Sequence, residues 1–181
     1  MRMDELMDDL SKQSSFLLAI DGMSGSGKTT LAQSLQEKWH AHVFHMDDFF
    51  LPLEMRTPQR LQQPGGNVHY ERFLETVLKP LSLQQSVFYQ PFDCQTMSFQ
   101  TVQEIPYSPF NIIEGSYALH PSLQRYYTHG IVLKISPLTQ KERLFKRNPE
   151  KIDQFIHRWI PMENQYFDAF DIFEKYPVLK R

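Results

Sequence analysis

The chain has 181 residues, a formal net charge of −2 at pH 7 and a hydrophobic fraction of 41%. This length suits one domain with a sizeable buried core, and the composition is typical of a soluble globular protein. Lysine and arginine are spread along the sequence, which argues against a protein dedicated to nucleic acid. The single cysteine, Cys94, excludes an intrachain disulfide and favours a reducing, cytoplasmic location.

The N-terminal segment, residues 1–14, predicts a short amphipathic helix. Met3, Leu6, Met7 and Leu10 recur there at helical spacing. The segment is acidic and has no continuous apolar core, so we expect no signal peptide. No apolar run in the sequence approaches the length of a membrane span, so we expect no membrane partner.

Strand-like and helix-like segments alternate along the rest of the chain. Short apolar runs predict buried strands at residues 16–20, 42–46, 110–114 and 131–135. Apolar residues at helical spacing predict helices at residues 29–39, 70–81, 138–147 and 152–173, the last interrupted at Pro161. This alternation predicts an α/β fold with a parallel sheet flanked by helices. Residues 51–68 predict a surface loop, and residues 87–109 predict an irregular β-hairpin.

A glycine-rich segment follows the first predicted strand. Residues 22–29, GMSGSGKT, fit the pattern G-x-x-x-x-G-K-[ST] and are called the glycine loop below. Its glycines let backbone amides approach phosphate oxygens, and the next helix directs its positive end toward the same anion. Lys28 suits the β- and γ-phosphates, and the Thr29 hydroxyl suits Mg²⁺. We therefore predict a site for ATP and Mg²⁺, rather than a chance turn, on Gly22, Ser24, Gly25, Ser26, Gly27, Lys28, Thr29 and Thr30.

Acidic residues follow two other predicted strands. Asp47 and Asp48 come after the second strand, and Glu114 ends the third. Carboxyl ends of parallel strands face the ligand crevice of such sheets, although an Asp pair can also be a turn or a helix cap. We predict that Asp47 accepts the proton of an attacking hydroxyl, that Asp48 is structural, and that Asp47 and Glu114 help to hold Mg²⁺, partly through water. The nearby histidines do not predict zinc, because His42 and His45 point to opposite faces of a strand.

The ordered motifs DGMSGSGKTTLA, HMDDFF, IIEG and KERLFKR resemble the uridine kinase-like branch of P-loop kinases. That branch includes uridine–cytidine kinases, nicotinamide riboside kinases, bacterial pantothenate kinase and phosphoribulokinase. The resemblance extends from about residue 16 to residue 170. It implies a three-layer P-loop kinase fold forming a single domain over residues 1–181, with the hairpin 87–109 as a substrate loop and a short lid at residues 141–158.

The same resemblance assigns roles to individual residues. Asp47 matches the aspartate that activates the substrate hydroxyl, and Glu114 matches the acid that assists at magnesium. Arg143 and Arg147 match lid arginines that, with Lys28, stabilise the charge of the transferring phosphoryl group. The alternative for the two arginines is a solvated helix face that pairs with neighbouring glutamates.

The acceptor region departs from uridine kinases, whose hairpin reads the pyrimidine with a tyrosine followed by a histidine. Phe92 stands at the tyrosine position, no histidine follows it, and Asp93 is the candidate contact to a sugar hydroxyl. His69 and Arg72 are candidates for lining the acceptor pocket, with a plain helix start as the alternative.

The sequence thus favours an ATP-dependent kinase that phosphorylates a hydroxyl of a small molecule, with a nucleoside preferred. The alternatives are a nicotinamide riboside or pantothenate-type kinase and a nucleotide-binding regulatory protein without turnover. The aromatic series Trp159, Tyr166, Phe167, Phe170 and Phe173 predicts core packing, with the surface of a homo-oligomer as the alternative.

Overall fold

A computed structural model describes residues 1–180 of the chain. Its strands are β1 (Phe16–Gly22), β2 (His42–His45), β3 (Val87–Tyr89), β4 (Phe92–Asp93), β5 (Ser98–Phe99), β6 (Gln103–Ile105), β7 (Phe110–Glu114) and β8 (His129–Leu133). Its α-helices are α1 (Met3–Ser11), α2 (Lys28–Trp39), α3 (Pro58–Leu61), α4 (Tyr70–Phe73), α5 (Lys79–Ser82), α6 (Pro137–Arg147), α7 (Ile152–Gln154), α8 (Ile160–Ala169) and α9 (Ile172–Lys175).

Four strands form a parallel sheet in the order β2-β7-β1-β8, which confirms the predicted sheet. Four predicted strand boundaries were wrong. β1 extends to Gly22 rather than to residue 20, and residue 46 already belongs to a 3₁₀ turn, Met46–Phe49. The last strand runs from His129 to Leu133 rather than over residues 131–135. That strand stops because Leu133 is the partner of Gly22, where β1 itself ends and the glycine loop begins.

Helices cover both faces of this sheet. Side chains alternate along β1, so Leu17 and Ala19 join one buried cluster while Leu18 and Ile20 join the other. The first cluster is closed by apolar side chains from α4, α5 and α8, and the second by those from α1 and α2. The fold therefore has the three layers that the sequence predicts.

Two π turns in the helices each end two residues before a proline. Residues Leu74–Leu78 form a π turn between α4 and α5, and residues Phe155–Trp159 form another between α7 and α8. Pro80 and Pro161 follow these turns by two residues. A proline lacks the amide that an α-helix needs and crowds the preceding turn, and a π turn relieves both conflicts without ending the helix. The predicted interruption at Pro161 therefore takes the form of a widened turn.

The predicted hairpin is present as two short antiparallel pairs, and one further bridge extends the sheet beyond β8. β3 pairs with β6 and β4 pairs with β5, both antiparallel, so residues 87–105 form a hairpin in two sections. At the β8 edge of the parallel sheet, Val178 forms a parallel bridge with Val132. Within residues 1–180, no helix combines the length and the apolar character needed to cross a membrane.

Candidate active site

The carboxyl ends of β1, β2 and β7 open onto one pocket of about 550 Å³. The pocket brings together most of the predicted site residues: Ser24, Gly25, Gly27, Lys28, Thr29, Thr30, Asp47, Glu114, Arg143 and Arg147. Gly22 and Ser26 belong to the glycine loop but do not line this pocket, and neither do His69, Arg72, Phe92 and Asp93. These residues come together because the carboxyl ends of parallel strands from distant parts of the sequence meet at one edge of the sheet.

The glycine loop has a backbone that side chains would not allow. Gly22 has φ +134°, and a Cβ built there would lie 2.1 Å from the carbonyl oxygen of Leu133. Lys28 is buried, and its ammonium donates to the carbonyl oxygens of Gly22 at 2.7 Å and Met23 at 3.1 Å. The loop therefore curls around the lysine, as a phosphate-binding loop requires.

Asp21 anchors the loop from beneath. Its fully buried carboxylate accepts hydrogen bonds from the amides of Gly22, Tyr117 and Leu119 at 2.6, 3.1 and 2.9 Å, and from the Tyr166 hydroxyl at 2.7 Å. Burial raises the pKa of Asp21 to about 6, although these donors and Lys28 oppose the rise. Asp21 thus ties the end of β1 to the segment after β7 and to α8, which is a structural role.

The adjacent residues Asp47 and Asp48 have different surroundings. Asp48 accepts a hydrogen bond of 2.6 Å from the Tyr89 hydroxyl, which also accepts from the His45 amide at 3.1 Å. Asp47 instead lines the pocket and is reached by solvent. Protein atoms around it still displace much of the water, which raises the pKa of Asp47; Lys28 lowers it, and nearby carboxylates add to the rise. Only Asp47 is placed to meet a molecule in the pocket.

Glu114 lies between the glycine loop and β2. The Thr29 hydroxyl lies 3.3 Å from Glu114 Oε2, and His45 Nδ1 lies 2.5 Å from Oε1. His45 and Glu114 are direct partners across β2 and β7, which explains the contact. This hydrogen bond raises the pKa of His45. Thr29 and Glu114 offer oxygen ligands, the type that Mg²⁺ prefers, and His45 orients the carboxylate.

Helix α6 and the residues after it form the wall above the loop. Arg143 donates to the carbonyl oxygen of Gly25 at 3.1 Å, and Arg147 donates to Asn148 Oδ1 at 2.9 Å. Both arginines line the pocket beside Lys151, Phe155 and Trp159. Trp159 was predicted to pack in the core, and it lines this wall instead, in edge contact with Phe155. Tyr166 and Phe167 are in the core as predicted.

Sequence reasoning missed Glu163 on α8. Its side chain is buried, with 3% exposure, and accepts from the Ser24 amide at 3.0 Å and from the Ser116 hydroxyl at 2.7 Å. The Ser24 hydroxyl also donates to this carboxylate. A signal was present in the sequence, because residues 163, 166, 167 and 170 have the spacing of one helix face, and a glutamate there interrupts an apolar stripe.

His69 and Arg72 lie outside the pocket. Arg72 donates to the carbonyl oxygens of Gln90 at 2.7 Å and Asp48 at 3.1 Å, and its guanidinium stacks 3.9 Å from the Phe49 ring centre. Burial lowers the pKa of Arg72 to about 10. The His69 amide donates to the carbonyl oxygen of Phe49 at 2.6 Å. In this conformation both residues join the hairpin and the start of α4 to the turn that carries Asp47.

The two predicted hairpin contacts also make internal interactions. Phe92 is buried and packs edge-on against Phe99, with ring centres 5.2 Å apart. Asp93 accepts a hydrogen bond of 2.7 Å from the Gln95 amide, which lowers its pKa and closes the turn at the tip of the hairpin. The aromatic side chains that do line the pocket are Phe50, Tyr117, Phe155 and Trp159.

Comparisons with known proteins agree with this fold. A solved structure described as a possible uridine kinase from Bacillus stearothermophilus is similar over 98% of this chain and 96% of its own, at 19% identity and a TM-score of 0.72. A "putative fructose transport system kinase" from Silicibacter sp. TM1040 is similar over 81% and 79%, at 25% identity and a TM-score of 0.64. No curated protein matches the chain. Residues 17–160 match the NACHT domain family, so the chain belongs to this family of P-loop NTPases and has the fold of P-loop kinases.

Proposed function

We propose that the chain is an ATP-dependent kinase that transfers the γ-phosphoryl group to a hydroxyl of a small molecule. The observation that carries the proposal is the placement of Asp47, which shares one pocket with Lys28 and the glycine loop but takes no part in the hydrogen bonds that fix Asp48. The same pocket, of about 550 Å³, also contains aromatic side chains of its wall, so an acceptor bound against them would lie beside the phosphates.

The residues of the chain divide the work of transfer. The glycine loop and Lys28 hold the phosphates, and Arg143 and Arg147 balance negative charge on the transferring group. Asp47 accepts the proton of the acceptor hydroxyl as its oxygen bonds to the γ-phosphorus, while the bond from that phosphorus to the bridging oxygen breaks and ADP leaves. Because such transition states are loose, placement and electrostatics supply most of the rate.

Thr29 and Glu114 fit a magnesium ion, because both present oxygen atoms and face each other at 3.3 Å beside the glycine loop. Bound Mg²⁺ would neutralise charge on the phosphates and orient them. Asp47 would contribute through water. His45 holds the Glu114 carboxylate from the other side, so it fixes the direction in which that group presents its oxygens.

The acceptor that we favour is a nucleoside, because the pocket wall contains aromatic rings and because the ordered motifs resemble uridine kinases. Trp159, which is half-buried and packs against Phe155, offers a surface for a flat ring. Nicotinamide riboside is the alternative that fits the same wall, and a pantothenate-type acceptor fits it less well because it has no ring. A cytoplasmic location remains a prediction of the sequence, and the surface of a homo-oligomer remains the alternative for the aromatic series.

A screen of acceptors tests the proposal. The purified chain is incubated with ATP and Mg²⁺ and a panel of nucleosides, nicotinamide riboside, pantothenate and sugars, and ADP release is followed. We expect release that depends on one class of acceptor. ATP binding in calorimetry without acceptor-dependent ADP release across the panel would contradict a kinase and would favour a nucleotide-binding regulatory protein.

A further inference from the structure

Three donors around the glycine loop converge on one carboxylate. Glu163 accepts from the backbone amide of Ser24 at 3.0 Å, from the Ser24 hydroxyl, and from the Ser116 hydroxyl at 2.7 Å. The Lys28 ammonium lies 3.4 Å from the same Ser116 oxygen. The carboxylate of Glu163 is thus held by donors of the glycine loop. The Ser116 hydroxyl connects it to Lys28, the lysine that binds the β- and γ-phosphates in such loops.

This arrangement places two anions in competition. Amide and hydroxyl donors that satisfy a carboxylate also satisfy a phosphate oxygen, because both are anionic acceptors of similar size. A terminal phosphate that approached Lys28 would meet the negative charge of Glu163 inside a partly enclosed pocket, where solvent screens repulsion weakly. The carboxylate and the phosphate cannot both use the Ser24 amide, so one must leave.

We infer that Glu163 acts as an internal substitute for the terminal phosphate, occupying donors that ATP must take over. The inference rests on the proposed function, since it requires a triphosphate at the glycine loop. It predicts selectivity between nucleotides: Glu163 weakens the binding of a triphosphate more than that of a diphosphate, because ADP lacks the phosphate group that would displace the carboxylate. Glu163 is therefore a specificity-determining residue that lowers retention of ATP relative to ADP.

Helix α8 is attached to the glycine-loop region by a second contact besides that of Glu163. Tyr166, one helical turn further on, donates to Asp21 at 2.7 Å, and its ring is fully buried. These two contacts join one face of α8 to Ser24, within the glycine loop, and to Asp21, directly before the loop. Release of Glu163 therefore frees one anchor of α8 and leaves the other intact, so a change at residue 163 need not unfold the helix.

Titration calorimetry with a non-hydrolysable ATP analogue and with ADP, both with Mg²⁺, tests the inference. Glu163→Gln keeps the size of the side chain and removes its charge. We expect the analogue to bind about tenfold more tightly than to the wild type, a gain of about 1.4 kcal/mol, while ADP changes much less. Glu37→Gln is the matched control, because Glu37 is exposed near the end of α2, carries the same charge and does not line the pocket.

Two further measurements keep the test decisive. Glu163→Asp retains the charge but shortens the reach by one methylene, so we expect a smaller gain in the same direction, and thermal melting reports whether each variant is folded. Unchanged or weaker binding of the analogue in both folded variants would overturn the inference while leaving the kinase proposal intact. A wild-type chain that binds neither nucleotide would overturn both.

Discussion

The neighbouring carboxylates of Asp47 and Asp48 allow a matched pair of substitutions. Asp47→Asn removes a base that lines the pocket, and we expect kcat to fall roughly 100- to 10,000-fold, the usual contribution of a general base. Nucleotide affinity should persist, because the glycine loop and Lys28 are untouched. Asp48→Asn replaces a charged acceptor of the Tyr89 hydroxyl by a neutral one, which should cost about 1–2 kcal/mol of unfolding free energy with little loss of kcat.

Steady-state kinetics with the acceptor found in the screen measures kcat, and chemical denaturation measures the free energy of unfolding. The pH dependence adds a second readout. Because the pKa of Asp47 is raised, the rate should increase with pH through a midpoint above that of an ordinary aspartate, as the base loses its proton. A folded Asp47→Asn variant with wild-type turnover, or a larger loss of kcat in Asp48→Asn, would refute the assignment of the base.

Three other substitutions test the frame around the site. Gly22→Ala should prevent stable folding, because the added Cβ would lie 2.1 Å from the Leu133 carbonyl oxygen; a wild-type melting temperature would contradict this. The folded pKa of Asp21, about 6, exceeds its ordinary value of 3.8, so its contribution to the unfolding free energy should fall by about 2 kcal/mol as pH rises from 4 to 6. Denaturation at several pH values should show this slope in the wild type and not in Asp21→Asn. Arg143→Ala should lower kcat by a larger factor than it raises the KM for ATP. A larger rise in KM than loss of kcat, measured by steady-state kinetics, would assign Arg143 to ground-state binding.

Local pattern predicted the parts of the site that lie within one segment of chain. The glycine loop is contiguous, and its glycines report a backbone that other residues would strain. Asp47 and Glu114 could be brought to the same edge because parallel strands end together. Those inferences need only the direction of the strands and the order of the elements along the chain. The alternation of strand-like and helix-like segments in the sequence gives both.

Contacts between distant segments were beyond such reasoning. Glu163 and Ser24 are 139 residues apart, and their meeting depends on how α8 crosses the end of β1. The pairing of His45 with Glu114 required the strand order β2-β7, which sequence periodicity does not contain. Arg72 was predicted to line the acceptor pocket from the resemblance to uridine kinase-like proteins, whereas in the structure it is half-buried over the ring of Phe49.

The fate of the terminal phosphate tests the central claim most directly. The chain is incubated with Mg²⁺ and ATP labelled at the γ-phosphoryl group, together with the acceptor, and the products are separated by mass. The account predicts that the label leaves ATP attached to the acceptor and that Asp47→Asn abolishes most of this transfer. Label released only as inorganic phosphate, at a rate indifferent to the acceptor and to Asp47, would show an ATPase and contradict the account.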